Sequence, residues 1–148
     1  MARNDKNTTG TDKKGGKFIY DTMPSVSSID FSDIKGRKLL FNLKGGDNAN
    51  LSTMVDKVVE VEHVVLYPGV FLEVDETSGE LLQEPGEKAF IVTPAGVVYY
   101  TFSLGLLSSI HTLLETFGPP PYKPGLKIKL KNKKTRDGNQ TYVFDLVD

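Results

Sequence analysis

Seven cations, Lys123, Lys127, Lys129, Lys131, Lys133, Lys134 and Arg136, fall within fourteen residues that contain no carboxylate. Lys127, Lys129 and Lys131 alternate with Leu126, Ile128 and Leu130. An extended chain sends successive side chains to opposite faces, so this segment buries its aliphatics on one side and presents a row of ammonium groups on the other. Lys133, Lys134 and Arg136 then lead into the turn Asp137-Gly138-Asn139. A row of cations beside a basic loop suits a polyanion with regularly spaced phosphates. The competing reading is a solvated edge strand whose lysines discourage edge-to-edge pairing.

The elements that must hold this row can be read from periodicity. Tyr142, Phe144 and Leu146 mark a returning strand, so Leu126–Asp148 is a hairpin. Before it, Leu104, Leu106, Leu107, Ile110, Leu113, Leu114 and Phe117 recur at steps of three and four, which predicts a helix over 104–117. Ser103 is its N-cap candidate, and Gly118 followed by Pro119-Pro120-Pro121 ends it. Upstream lies a β-branched block, Met54–Leu72, whose second face changes from polar to apolar partway, the pattern of a bent or bulged strand. Pro68-Gly69, Asp75–Gly79 and Pro85-Gly86 read as turns, and Ala89–Thr93 and Val97–Phe102 as a hairpin across Pro94-Ala95-Gly96. Lys38–Leu43 (KLLFNL) reads as a short strand, and Phe18–Phe31 as an irregular lead-in. Residues 1–17 hold no large apolar side chain after Met1 and read as a disordered basic arm, leaving one domain over 18–148.

The formal net charge of −1 conceals segregation. Residues 1–44 carry nine cations against five carboxylates, residues 56–87 carry Lys57 against nine carboxylates, and residues 123–136 carry cations alone. Such a chain folds with a positive and a negative side, so near-neutrality does not exclude a nucleic-acid partner. There is no cysteine, which excludes disulfides, thiolate chemistry and Cys-containing metal sites. No apolar run is long enough to span a bilayer, and no signal-peptide pattern opens the chain, so it reads as a soluble protein of the cytoplasm without a membrane partner.

Catalytic patterns are wanting. His63 and His111 stand apart with no metal-ligand spacing. Glu60/Glu62 and Glu73/Asp75 are i,i+2 pairs, about 7 Å apart on a strand, but solvated acidic faces are common. The KKGGK and KGGD runs lack the spacing of a phosphate-cradling loop. The reading is a non-enzyme with no cofactor and no metal.

Strands, then one helix, then a two-stranded hairpin is the order of an OB-type five-stranded Greek-key barrel, whose helix separates the third and fourth strands. The expected fold is mainly β with one helix, OB-fold-like, with Lys38–Leu43 as an extra N-terminal strand and a disordered basic arm. Its last loop, 132–139, falls where such barrels contact nucleic acid. Over Lys38–Asp148 the chain resembles OB-fold single-stranded-DNA-binding proteins of bacteriophages and conjugative plasmids. The resemblance rests on the Val-rich block, the helix ending in GPPPYKPG, and the closing LKIKLKNKKTRDGNQTYVFDLV. Many members end in a long acidic tail that recruits replication partners. This sequence ends Asp145-Leu146-Val147-Asp148, so tail-mediated recruitment is not expected.

The resemblance implies non-sequence-specific binding of single-stranded DNA in phage or plasmid replication, recombination or transfer, inside a bacterial host cell. That task needs cations along the phosphates and aromatic faces under the bases. The phosphate candidates are Lys127, Lys129, Lys131, Lys133, Lys134 and Arg136, with Lys123 a lesser one. The stacking candidates are Tyr67, Tyr99, Tyr100 and Tyr122; tyrosine is favoured over phenylalanine because its hydroxyl tolerates water. Three alternatives stay open: RNA on the same platform, cooperative or homo-oligomeric assembly on the strand, and a structural β-barrel module such as a phage adaptor or capsid-associated protein.

Overall fold

The computed structural model describes residues 17–20 and 23–148. Among these residues the protein is mainly β, with two α-helices, a 3₁₀ turn at Leu51–Met54 and two sheets. The larger sheet has the order β1-β4-β5-β6-β2, made of β1 (Lys17–Tyr20), β2 (Ala49–Asn50), β4 (His63–Val74), β5 (Leu81–Val92) and β6 (Val98–Thr101). The smaller has the order β3-β7-β8, made of β3 (Val58–Val61), β7 (Leu126–Lys134) and β8 (Gln140–Leu146). Helix α1 is Ile34–Gly45 and α2 is Leu104–Phe117. The pairings leave these as two separate sheets, so the expected closed barrel is not formed.

The bend anticipated in the Val-rich block falls at Glu62. There β3 leaves the small sheet and the chain continues as β4 in the large one, with the Glu62 N–H donating to the Val92 carbonyl at 2.9 Å. Between the sheets, Val59, Val61, Ile128, Leu130 and Phe144 pack against Val64, Leu66, Ala89 and Ile91, with Leu106, Leu107, Ile110 and Leu113 of α2 closing the side. The opposite face of the large sheet buries Val65, Tyr67, Phe90, Val92 and Val98 beneath Leu39, Leu40 and Leu43 of α1. The large sheet is thus covered on both faces, and each long strand must be apolar on both sides for part of its length.

Helix α2 keeps its predicted bounds. The Ser103 hydroxyl accepts from the Leu106 N–H at 3.4 Å, and Gly118 (φ 80°) ends the helix. The turns at 75–79 and 94–96 also stand where predicted.

Several expectations are corrected. Lys38–Leu43 is part of α1 and not a strand, so there are two helices where one was expected. KLLFNL is a short, largely apolar segment, which periodicity alone cannot divide between helix and strand. The arm expected over 1–17 lies outside the described residues except for Lys17, which opens β1. The lead-in is not wholly irregular, because Phe18 is fully buried and β1 pairs with β4.

Neither Pro68-Gly69 nor Pro85-Gly86 is a turn: β4 and β5 run through both, with Gly69 opposite Gly86. The glycines make room for aromatic rings. A Cβ on Gly86 would lie 2.4 Å from the Phe71 ring, and one on Gly69 would lie 2.6 Å from Phe18 and 2.4 Å from the Ile19 carbonyl oxygen. Pro68 fits because of sidedness. Leu66 donates its N–H to Val26, away from β5, and period two points the Pro68 nitrogen the same way. The ladder to β5 therefore loses no donor.

Candidate nucleic-acid interface

Strand β7 is the middle strand of the small sheet. Ile128 and Leu130 are fully buried against the core, while Lys127, Lys129, Lys131 and Lys133 are exposed on the other face. Consecutive lysines of this row are roughly 6.6 Å apart along the strand, from a rise of about 3.3 Å per residue. Past the core the hairpin projects into solvent, and every residue from Lys131 to Gln140 is exposed. Its tip is ordered by its own backbone. Thr135 N–H donates to the Asn139 carbonyl at 2.7 Å, Gly138 N–H donates to the Thr135 carbonyl at 3.0 Å, and Gly138 takes φ 83°. Lys134, on the opposite face by alternation, and Arg136 of the turn stand beside the end of the row at this tip.

Two carboxylates sit on the same face. Glu60 of β3 is opposite Lys127, and Asp145 of β8 is opposite Lys129. Asp145 Oδ2 lies 2.6 Å from Lys131 Nζ, a solvent-exposed pair. Such a pair is readily exchanged for a phosphate, since exposed ion pairs contribute little. Lys129, Lys133, Lys134 and Arg136 form no ion pair among the described residues. Lys123 is exposed at the other end of β7, close enough to His63 to help hold that imidazole below its ordinary value, although burial is the larger cause. The structure thus brings six of the seven predicted cations onto one strand and its loop, with the seventh at the foot of that strand.

The aromatic candidates fare differently. Tyr67 is fully buried, packed against Tyr20 and Phe90, and burial pushes its hydroxyl up to about 12. Tyr122 is buried as well, and its hydroxyl donates to the Gly118 carbonyl at 2.8 Å. Neither presents a face to a base, which corrects their assignment as stacking platforms. Tyr99 and Tyr100 are half-buried on β6, Tyr99 against the inter-sheet core and Tyr100 against the α1 side. They stand on the large sheet, not beside the lysine row.

Other features escaped sequence reasoning. A groove of about 360 Å³ lies between α2 and β8, lined by Ser109, Thr112, Phe117 and Asp145 among others. A second depression shares Ser109, Val143, Phe144 and Asp145 and continues to Lys131 and Lys133. The half-exposed Phe117 had read simply as the last residue of a core stripe. Strand β8 is the edge of the small sheet, and its Phe144 N–H donates to the Ser109 hydroxyl of α2 at 3.4 Å. The other surprise is Lys88, 2% exposed, with its ammonium 4.7 Å from the Phe90 ring centre and 5.0 to 5.5 Å from Tyr100, Tyr20 and Phe102. Burial lowers it to about 7. Ring faces stabilise a cation, which accounts for a lysine at this depth.

The histidines stitch elements together. His63 joins Ser28 through Nδ1 at 2.9 Å and lies 3.3 Å from Glu62; His111 ties α2 to Glu87 of β5 at 2.8 Å. Glu60 stands on β3 and Glu62 at the bend that follows it. Among the described residues no three His, Asp or Glu side chains are grouped to hold a metal, and no helix is long and apolar enough to cross a membrane.

The candidate site is thus a lysine-striped strand leading into a basic tip. A family model described as phage single-stranded DNA-binding protein, of the Phi29 type, matches residues 22–147. The chain belongs to this family, and its function is single-stranded DNA binding in phage replication. No curated protein and no solved structure matches the chain.

Proposed function

We propose that the strand runs along the outer face of β7, with its phosphates on Lys127, Lys129, Lys131 and Lys133, and turns over the tip at Lys134 and Arg136. The observation that carries this reading is the placement of these cations on one exposed face and one ordered loop. Phosphate contacts read charge and not base identity, so binding has little sequence preference. The protein coats and protects the displaced strand inside the host cell and catalyses nothing.

The pairing pattern supports an OB arrangement behind this surface. Strands β3 and β4 together act as one bent first strand, pairing with β5 through one half and with β7 through the other. β5 pairs with β6, α2 follows, and β7 pairs with β8. The seam between β6 and β8 stays open, and β1, α1 and β2 are additions. In such folds the loop between the last two strands contacts nucleic acid; here that is the tip at 135–139.

Titration of fluorescent oligo-dT across salt concentrations tests this reading. Affinity falls with salt with a log–log slope of about −0.7 per phosphate contact. Wild-type affinity that ignores salt, or an unchanged slope when Lys129, Lys133, Lys134 and Arg136 are replaced by Ala, overturns it. Competition with a matched RNA oligomer measures the preference between the two sugars.

A further inference from the structure

A protein that holds a single strand needs ring faces for bases as well as cations for phosphates. Cross-strand partners share a face, so the lysines of β7 stand beside Val58, Glu60, Thr141, Val143 and Asp145, and no ring is among them. Two rings are exposed among the described residues, Phe41 at 74% and Phe117 at 45%. Phe117 shares its groove with Asp145 and packs edge-on against Tyr122, 6.5 Å between ring centres. Phe41 has different neighbours.

Phe41 lies on the outer face of α1, opposite Leu39, Leu40 and Leu43, which pack on the large sheet. Helix residues three and four apart are adjacent, with Cβ atoms about 5–6 Å apart. Arg37, Lys38 and Lys44 therefore border Phe41. Arg37 and Lys38 are exposed, while Lys44 leans inward to 5.6 Å from the Tyr67 ring centre. From Ile34 to Gly45 the helix carries Lys35, Arg37, Lys38 and Lys44 and no carboxylate; Asp33 precedes it and Asp47 follows it. None of the four cations forms an ion pair among the described residues. An exposed ring alone would suit an apolar partner, and cations alone any polyanion. A ring set between cations suits a polyanion that also carries flat bases.

We propose that the outer face of α1 is a second contact for single-stranded DNA, with a base stacked on Phe41 and the flanking phosphates on Arg37 and Lys38. The contact needs only the ligand; that one strand reaches it from β7 rests on the reading above. Helix α1 covers the face of the large sheet turned away from the small one, so the strand passes round the molecule. The bend at Glu62 offers the crossing. Tyr122 N–H donates to the Glu62 carbonyl at 2.9 Å, which sets Lys123 beside the bend. Ser28, in the segment leading to α1, meets His63 Nδ1 at 2.9 Å on the other side. Lys123 and Lys35 are both close enough to help hold the His63 imidazole below its ordinary value, burial being the largest cause. The Glu62 carboxylate at this place is turned to the same ring, 3.3 Å from Nε2. Cations from the foot of β7 and from the start of α1 thus converge on one residue.

The chain has no tryptophan, so Phe41→Trp puts a single fluorescent reporter on this face. Its emission is expected to be quenched by oligo-dT and unchanged by an abasic oligomer of equal length, which supplies phosphates without bases. Phe41→Ser is expected to weaken binding of a long oligo-dT about tenfold with the salt slope unchanged. Phe41→Tyr should keep wild-type affinity, and Lys38→Gln should flatten the slope by about 0.7. Circular dichroism verifies folding of each variant. Emission that stays constant at saturating oligo-dT overturns the proposal, as does equal quenching by the abasic oligomer. Wild-type affinity in Phe41→Ser also overturns it; a change in that variant's sedimentation without DNA would then make the face a protein contact. The row variants distinguish this inference from the reading above. If Ala at Lys129, Lys133, Lys134 and Arg136 abolishes binding while Phe41→Ser is silent, the α1 contact alone falls. If those row variants bind as wild type and Phe41→Trp is quenched, the row falls and the α1 contact stands.

Discussion

The β4–β5 and β7–β8 hairpins use the same backbone device for opposite ends. Each pairs over a long stretch, leaves the core behind, and closes on a short turn with glycine at positive φ, Gly79 at 74° and Gly138 at 83°. Each turn is fastened by its own backbone, through Gly79 N–H to the Asp75 carbonyl and through Gly138 N–H to the Thr135 carbonyl. The side chains then diverge: one tip carries Asp75, Glu76 and Glu80, the other Lys133, Lys134 and Arg136. Projection from the core is therefore common to both hairpins, and their side chains give the two tips different charge.

The sharpest way to break that comparison is to neutralise one tip at a time. Replacing Lys129, Lys133, Lys134 and Arg136 with Ala should cost about 100-fold in oligo-dT affinity at low salt and flatten the salt slope by roughly 0.7 per lost contact. Replacing Glu76 and Glu80 with Gln should leave a short oligonucleotide's affinity unchanged or slightly raised. Equal losses from both, read by fluorescence anisotropy, would dissolve the distinction.

Next in size is the root of the acidic hairpin. Gly69→Ala forces a Cβ against the Ile19 carbonyl oxygen and the Phe18 ring, at an expected cost of about 2 kcal/mol in urea unfolding. One-site oligonucleotide affinity should be intact, because the small sheet is untouched.

Buried Lys88 and the exposed lysines of β7 offer a third contrast. Because Lys88 is held near 7 in the folded chain, against 10.5 ordinarily, the unfolded chain binds more protons between those values. Stability should therefore rise as pH climbs from about 7 towards 10, by about 1 kcal/mol per pH unit. Lys88→Met should remove that rise. Above pH 10 the opposite sign enters through Tyr67, raised to about 12, whose protonated form the fold prefers. Urea midpoints at several pH values read both limbs. The smallest effect is expected from Asp145→Asn, which frees Lys131 and should tighten oligonucleotide binding about two- to threefold.

Local sequence gave strong signals wherever one period ran without interruption. The stripe of α2 and the alternation of β7 decided helix and strand because each residue agreed with its neighbours. The sequence misled where the reason for a residue was distant. Gly69 and Gly86 look like turn residues until Phe18 and Phe71 are seen lying across them. In α1, Ile34 and Phe41 face outward and blur the amphipathic pattern, leaving KLLFNL legible as a strand. The exposed face of Lys127, Lys129, Lys131 and Lys133 was legible because lysines on an alternating strand have only one place to go. The aromatics were not, since Tyr67 and Tyr122 are committed to packing by partners far along the chain.

The passage of the chain through Glu62 has a mechanical consequence. The lysine-bearing layer is joined to the thick central layer by an unbroken run of covalent bonds, Val61 to His63, as well as by packed side chains. A pull on β7 reaches β3 across the β3–β7 ladder and only then enters the central layer through the peptide bonds at Glu62. The ladder, and not the bend, is therefore where the two layers would part.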